Sequence, residues 1–324
     1  MTKGSEFDII ARYFKPLALA DDGAFGLGDD AAILNVPNGQ HLVVTSDALV
    51  ADVHFLSTQS PQDIAHKVVG VNLSDLAAMG AHPRAVFLAA QFPNDIKEPW
   101  IADFALGFAE ALASSGAVLM GGDTVSTPGP LAFTLTALGF QAQKHVLTRA
   151  GANVGDALFV SGTIGDGALG LLSATGKLPE HEDLYQRYAR PQPRLALGQA
   201  LAERGLASAC IDISDGLIAD VGHICEQSNT SATLEYSSIP LSESAQTLVL
   251  AQSDLKDLIV GGGDDYELAF TVKAEHIAAV FALGLELDVQ VTRIGLVEAP
   301  GQGVRILDTE AKVMTVSSPG FHHF

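Results

Sequence analysis

Apolar and polar positions along the chain follow two periods in turn. Runs rich in β-branched and aromatic residues predict strands over 41–46, 85–91, 117–120, 131–140, 157–161, 208–213, 231–236, 266–272 and 289–296. Helical spacing predicts helices over 61–79, 99–114, 166–174, 194–203, 215–227 and 274–283. Strands interleaved with helices make an α/β or α+β chain, and the pattern alone leaves both open. At about 150 residues per domain, 324 residues suit two domains. The loop-like segment 148–156 lies between two predicted strands, so the expected division is 1–150 and 151–324. A faint echo between LMGGD at 119–123 and IVGGGD at 259–264 is weak evidence for a repeat.

Composition sharpens this picture. With 48% hydrophobic residues the chain has ample material for a core. Lys plus Arg number 18 against 38 Asp plus Glu, a net charge of −20. Such a field repels phosphate backbones, so a nucleic-acid or anionic-membrane surface is not expected. Any phosphate this protein binds needs cations to mediate the contact. No apolar run approaches the roughly 18–20 residues that span a bilayer. Cys210 and Cys225 are the only cysteines and lack metal-like spacing, which fits a reducing cytoplasm.

The acids gather where the pattern suggests that strands end and loops begin: Asp29 and Asp30 after Gly28, Asp47 after Thr45 and Ser46, and Asp123 after Gly121 and Gly122. Asp212 and Asp215 flank Ile213 and Ser214, and Asp264 and Asp265 follow Gly263. Ligands bind at strand ends in α/β proteins, although Gly next to Asp also suits an ordinary turn. Asp75 stands out. Ser60, Pro61 and Asp63 read as the start of a helix, and Ile64, Val68, Val71, Asp75 and Met79 then share one face. A carboxylate in an apolar stripe needs a cation, a metal or a proton. It could equally cap a loop or pair with Lys or Arg. Carboxylates and hydroxyls without Cys or paired His favour Mg²⁺ or Mn²⁺.

Two familiar phosphate motifs fail. Gly165, Gly167 and Gly170 match G-x-G-x-x-G, but Asp166 would point charge at a pyrophosphate and the βαβ context is poorly met. Gly170 to Lys177 has the wrong P-loop spacing, and Leu178 replaces the required Ser or Thr.

The blocks GDDAA at 28–32, TSD at 45–47, VNLSDLAAMGA at 71–81, GGDT at 121–124, DISDGL at 212–217 and GGDDYEL at 262–268, with the tail GFHHF at 320–324, resemble the bacterial thiamine-monophosphate kinase family, in the family's order and over nearly the whole chain. That family lies within an aminoimidazole-ribonucleotide-synthetase-like superfamily. The resemblance implies an N-terminal α/β domain that binds ATP and Mg²⁺, its sheet pairing across a homodimer into a β-barrel. It also implies a C-terminal α+β domain covering the active-site cleft. By resemblance, Asp30, Thr45, Ser46, Asp47, Asp75, Asp123, Asp212 and Asp215 are Mg²⁺ ligands; Gly122, Asp123, Arg149 and Ser214 contact ATP; and His54, Asp264 and Phe321 contact thiamine monophosphate. Relatives often carry Glu at the position of Asp264 and a larger or phenolic aromatic at that of Phe321. The implied reaction is direct ATP-dependent phosphorylation of thiamine monophosphate, with neither a covalent nucleophile nor a general base.

Rival readings are separable. A selenophosphate synthetase would want a reactive Cys near the N-terminus, and a hydrogenase-maturation relative a C-terminal Cys; neither is present. A purine-pathway synthetase and a non-catalytic cation- or nucleotide-binding module remain as alternatives.

Overall fold

The computed structural model describes residues 6–321, with Glu6 described by its backbone alone. The chain is a mixed α/β protein of two compact units, residues 1–76 with 81–143, and residues 77–80 with 144–324. His322, His323 and Phe324 of the tail motif lie outside the described residues.

The first unit opens with α1 (Glu6–Ile9) and a run of π and 3₁₀ turns between 10 and 27 that the hydrophobic pattern did not predict. It continues through β1 (Gln40–Val50), α2 (Pro61–Ala78), β2 (His82–Pro93), α3 (Glu98–Ala113), β3 (Val118–Thr127) and β4 (Ala132–Ala142). The four strands form one sheet in the order β1-β4-β2-β3, in which only β2 and β3 are parallel. The Ser60 hydroxyl accepts the Asp63 N–H, so α2 starts where the sequence placed it. One sheet face is sealed by an aromatic stack in which Phe104 of α3 lies on Phe133 of β4 with centroids 4.4 Å apart. Strand alternation sends Leu42, Val44 and Val125 to the other face, where they are 38%, 55% and 44% exposed.

The second unit holds β5 (Ala157–Ser161), α4 (Asp166–Ala174), α5 (Glu182–Ala189), α6 (Leu195–Glu203), β6 (Ala209–Asp212), α7 (Leu217–Ser228) and β7 (Ser231–Glu235). There follow α8 (Glu243–Ala251), α9 (Leu255–Gly261), β8 (Leu268–Val272), α10 (Ile277–Glu286), β9 (Val291–Glu298) and β10 (Val304–Leu307). Its sheet runs β10-β7-β9-β5-β8-β6. Along β5, Leu158 and Val160 feed one buried cluster with α7 to α9, while Ala157 and Phe159 feed another with α6 and α10. A sheet buried on both faces explains strands that are apolar throughout.

Three expectations need correction. Thr45, Ser46 and Asp47 lie inside β1, and Gly121 to Asp123 inside β3, so these acids do not end their strands. Glycine there serves close strand approach: a Cβ on Gly122 would come within 1.9 Å of the Leu88 carbonyl oxygen. Helices α5, α8 and α9 and strand β10 were not anticipated. The helix expected from 274 begins with a 3₁₀ turn, Ala274–His276, before α10 proper.

Candidate active site

In the first unit, α2 lies along the closed sheet face and aims its C-terminal part, through Asn72 and Asp75, at β1. The Thr45 hydroxyl donates to the Asp75 carboxylate, and the Asn72 side-chain oxygen accepts the Asp47 N–H at 3.1 Å. Asp47 and Asp75 are in contact. Burial, then the Asp75 charge, pushes the Asp47 carboxyl up to about 6. Two carboxylates and a hydroxyl pressed together are a hard oxygen donor set that suits a divalent cation. The next side chain along β1 points away: the Ser46 hydroxyl pairs with Thr136 at 2.9 Å on the open face.

A second acidic group lies elsewhere in the same unit. Asp30, Gly122 and Asp123 line a cavity of about 480 Å³ with Asp29, Phe87 and Met120, within the usual range for a small-molecule site. The Asp123 carboxylate accepts the Thr124 N–H, and Asp29 accepts the Asp30 N–H. Asp123 is on β3 and Asp47 on β1, the two edges of the sheet. Three strand spacings separate those strands, about 14 Å. One ion therefore cannot be shared by Asp47 and Asp123 of one chain. Consistently, no group of three or more His, Cys, Asp or Glu among the described residues is arranged to hold a metal.

His54 sits in a tight turn after β1, where Asp52 adopts a positive φ of 61°. Its Nδ1 accepts the Val50 N–H at 3.0 Å, which leaves the proton on Nε2, directed away from that backbone.

In the second unit, the turn between β6 and α7 gathers most of the expected residues. Asp212 ends β6 and is buried, while Ser214 and Asp215 are half-buried. The Asp264 N–H donates to the Ser214 carbonyl at 2.9 Å, and the Phe321 N–H to the Asp215 carbonyl at 3.0 Å. Asp264 itself has a φ of 71°, and Tyr266 returns its hydroxyl to the Asp264 carboxylate at 3.1 Å. Arg149 is exposed and lies apart from this cluster. Its loop is pinned at the far end of α7, where the Ser228 hydroxyl accepts the Gly151 and Ala152 N–H groups at 3.1 Å each. Twelve helical residues, about 18 Å, separate Ser228 from the Ser214 turn. Arg149 itself lies nearer that turn, since the Thr148 carbonyl beside it accepts the Cys210 N–H at 2.9 Å, four residues or about 13 Å before Ser214.

Two buried carboxylates of the GGDDYEL block, neither assigned an individual role from the sequence, complete the unit. Asp265 accepts the Gly165 and Gly167 N–H groups at 2.7 and 3.0 Å, and burial pushes it up to about 8. The G-x-G-x-x-G turn is thus already occupied by a side chain of this chain. Glu267 is fully buried between Arg187 and Arg194 and accepts the Ser161 hydroxyl at 2.6 Å. The G-G-D-D-Y-E-L block carried this signal, since three acids in four residues of a buried strand entry must find partners.

Residues 28–141 match the N-terminal domain of AIR synthase related proteins, and residues 153–308 match the C-terminal domain of the same family. The chain belongs to that family of two-domain proteins. The hydrogenase maturation protein HypE shares the fold, with a TM-score of 0.82 at 20% identity. Full-length comparison narrows the class. A thiamine-monophosphate kinase of Haemophilus influenzae is 42% identical over 98% of both chains, and one of Escherichia coli is 40% identical over the same shares. The crystal structure of the Stenotrophomonas maltophilia thiamine-monophosphate kinase superposes with a TM-score of 0.84 at 41% identity, covering 93% of this chain and 96% of that one. AaThiL, solved as a complex with AMPPCP and TMP, gives 0.78 at 28% identity over 100% and 99%. The chain is a member of the thiamine-monophosphate kinase family.

Proposed function

We propose that this protein transfers the terminal phosphoryl group of ATP to the phosphate of thiamine monophosphate, yielding thiamine diphosphate and ADP. The observation that carries this reading is full-length membership of the thiamine-monophosphate kinases, at 42% identity to the Haemophilus influenzae protein. The Asp47–Asp75 contact supports it chemically, as a hard-cation donor set in a chain of net charge −20.

The acceptor is already a nucleophile. A phosphomonoester with a second pKa of about 6 is largely dianionic at neutral pH, so no base has to remove a proton. The barrier is repulsion between two anions. Bound Mg²⁺ ions would neutralise charge between them and align them for in-line transfer. Within this proposal Thr45, Asp47 and Asp75 hold one such ion on the closed sheet face, and Ser46 from the open face, Asp30, Asp123, Asp212 and Asp215 hold the others. Gly122, Asp123, Arg149 and Ser214 bind ATP, with Arg149 adding a permanently charged fork at one end. His54, Asp264 and Phe321 receive the thiamine moiety. His54 offers an Nε2–H donor, and the half-exposed Phe321 ring offers a face for a cationic or aromatic ring.

We further propose a cytoplasmic homodimer in which the second domain covers the cleft. The sheet face bearing Leu42, Val44 and Val125 and the free edges of β1 and β3 support closure of a barrel by a second copy. Such closure would also bring one chain's β3 edge, with Asp123, against its mate.

The test is incubation with ATP, Mg²⁺ and thiamine monophosphate, followed by mass spectrometry. Thiamine diphosphate and ADP in equal amounts are expected. Absence of product, or ADP release with formylglycinamidine ribonucleotide instead, overturns the assignment.

A further inference from the structure

The turn 213–216 is clamped from both sides. One carboxylate oxygen of Asp220, a residue of α7 that is 2% exposed, accepts three successive backbone N–H groups: Ser214 at 3.0 Å, Asp215 at 3.1 Å and Gly216 at 3.1 Å. They are the three donors that lead directly into α7, the last of them at its N-cap residue Gly216. The carbonyls of the same turn are equally committed. Ile213 accepts the Tyr266 N–H at 2.8 Å, Ser214 accepts that of Asp264, and Asp215 accepts that of Phe321. Gly216 permits the arrangement, since it has a φ of 133° and a Cβ there would lie 2.7 Å from the Gly261 carbonyl oxygen. Every backbone polar group that orients the turn thus leads either to Asp220 or to the segments carrying Asp264 and Phe321.

We infer that Asp220 is a positioning residue that, through this one turn, couples Ser214 and Asp215 on the nucleotide side to Asp264 and Phe321 on the thiamine side. The inference rests on the functional reading above for the roles of those four residues. Its physical content is that loss of the Asp220 charge releases both sets together. Asn at this position retains one acceptor oxygen of the same reach, and Ala retains none, so the effects should be graded.

The experiment compares wild type, Asp220→Asn, Asp220→Ala and Leu248→Ala. Leu248 is a core residue of the same unit, so its truncation controls for simple loss of stability. Amide hydrogen exchange on the metal-free proteins is read first. Asp220→Asn should accelerate exchange at residues 214–216, 264 and 321 together, whereas Leu248→Ala should not single them out. Kinetics are read second. Asp220→Asn should raise both the Mg²⁺ activation midpoint and the KM for thiamine monophosphate by about tenfold, and Asp220→Ala by up to about 100-fold. Leu248→Ala should leave both unchanged at a temperature where it is folded. Faster exchange confined to 214–216 overturns the coupling. Asp220 variants that lose stability as Leu248→Ala does, with neither kinetic parameter moved, reduce Asp220 to a structural cap and also overturn it. If wild type makes no thiamine diphosphate, the functional reading fails instead, and the exchange data still decide whether the turn is coupled.

Discussion

Replacing Asp75 by Asn separates the cost of the acidic pair from its use. Asp47 is raised from 3.8 to about 6 by burial first and by Asp75 second. At about 1.4 kcal/mol per pK unit, holding Asp47 ionised at neutral pH costs the metal-free fold roughly 3 kcal/mol. Burial accounts for the larger part, and the pair is partly solvated. Discounted for screening, the share from Asp75 is about 1 kcal/mol. Asn keeps an acceptor for the Thr45 hydroxyl and removes the charge. In EDTA at pH 7, Asp75→Asn should therefore melt about 2 °C above wild type. The pH dependence has a definite sign. A carboxyl whose folded pKa lies above its unfolded value contributes stability that is complete below about pH 4 and lost as pH rises through about 6. Metal-free wild type should decline across that window, and the variant should decline less. Saturating Mg²⁺ should stabilise wild type at pH 7 and leave the variant nearly unmoved, with thiamine diphosphate formation abolished. Scanning fluorimetry in EDTA and in MgCl₂, followed by product analysis, tests all of this. A variant that is less stable than wild type in EDTA, or that retains near-normal turnover at high Mg²⁺, refutes the reasoning.

Asp265→Asn should flatten the fall in stability that wild type shows between about pH 4 and pH 8, an effect on the order of a few kcal/mol at the alkaline end in chemical denaturation. An unchanged pH slope would mean that Asp265 is ionised in the folded protein throughout. Val44→Asp places a charge on the open sheet face, and light scattering should show dimerisation weakened by about 100-fold or more, since an unpaired buried charge costs roughly 3–5 kcal/mol. A dimer of wild-type affinity would exclude this face from the interface. Ser228→Ala unpins the Arg149 loop and should raise the KM for ATP by about tenfold without changing that for thiamine monophosphate, while Ser228→Thr restores it.

The sequence carried the strong periodicities and little of the third dimension. Segment 61–79 was legible because a capping serine, a proline at the first turn and an apolar stripe broken only at Asp75 agree with one another, and α2 begins at Pro61. Strand β3 ran longer than its apolar core because polar residues from Asp123 to Thr127 pair on one side only, and an edge strand has no second neighbour to exclude water. Helices α8 and α9 were hidden by short length and mixed faces. Among site residues, Asp75 was legible from its place in an apolar stripe, and it meets Thr45 and Asp47. The distance between Asp47 and Asp123 was not, because strand order is a property of pairing rather than of any local pattern. Asp220 and Asp265 look like ordinary helix and loop acids until their backbone partners are known.

Those two acids bear on how so anionic a chain can handle phosphates at all. Helix starts flanked by glycine are the usual places for a phosphate to dock, through free N–H groups and the helix dipole. This protein has two such starts in its second unit, at α4 and α7. Asp265 takes the N–H groups of Gly165 and Gly167, and Asp220 takes those from Ser214 to Gly216. With these glycine-flanked entry groups engaged from within, a nucleotide phosphate gains little from them while the fold holds. On the proposed reading, attraction comes instead from Arg149 and from cations gripped by the acidic side chains. On that reading, the same carboxylates that make the surface repel phosphate become useful only when a divalent ion inverts their sign. Binding of nucleotide to this protein should accordingly depend far more steeply on Mg²⁺ than binding to a P-loop, whose backbone supplies much of the grip itself.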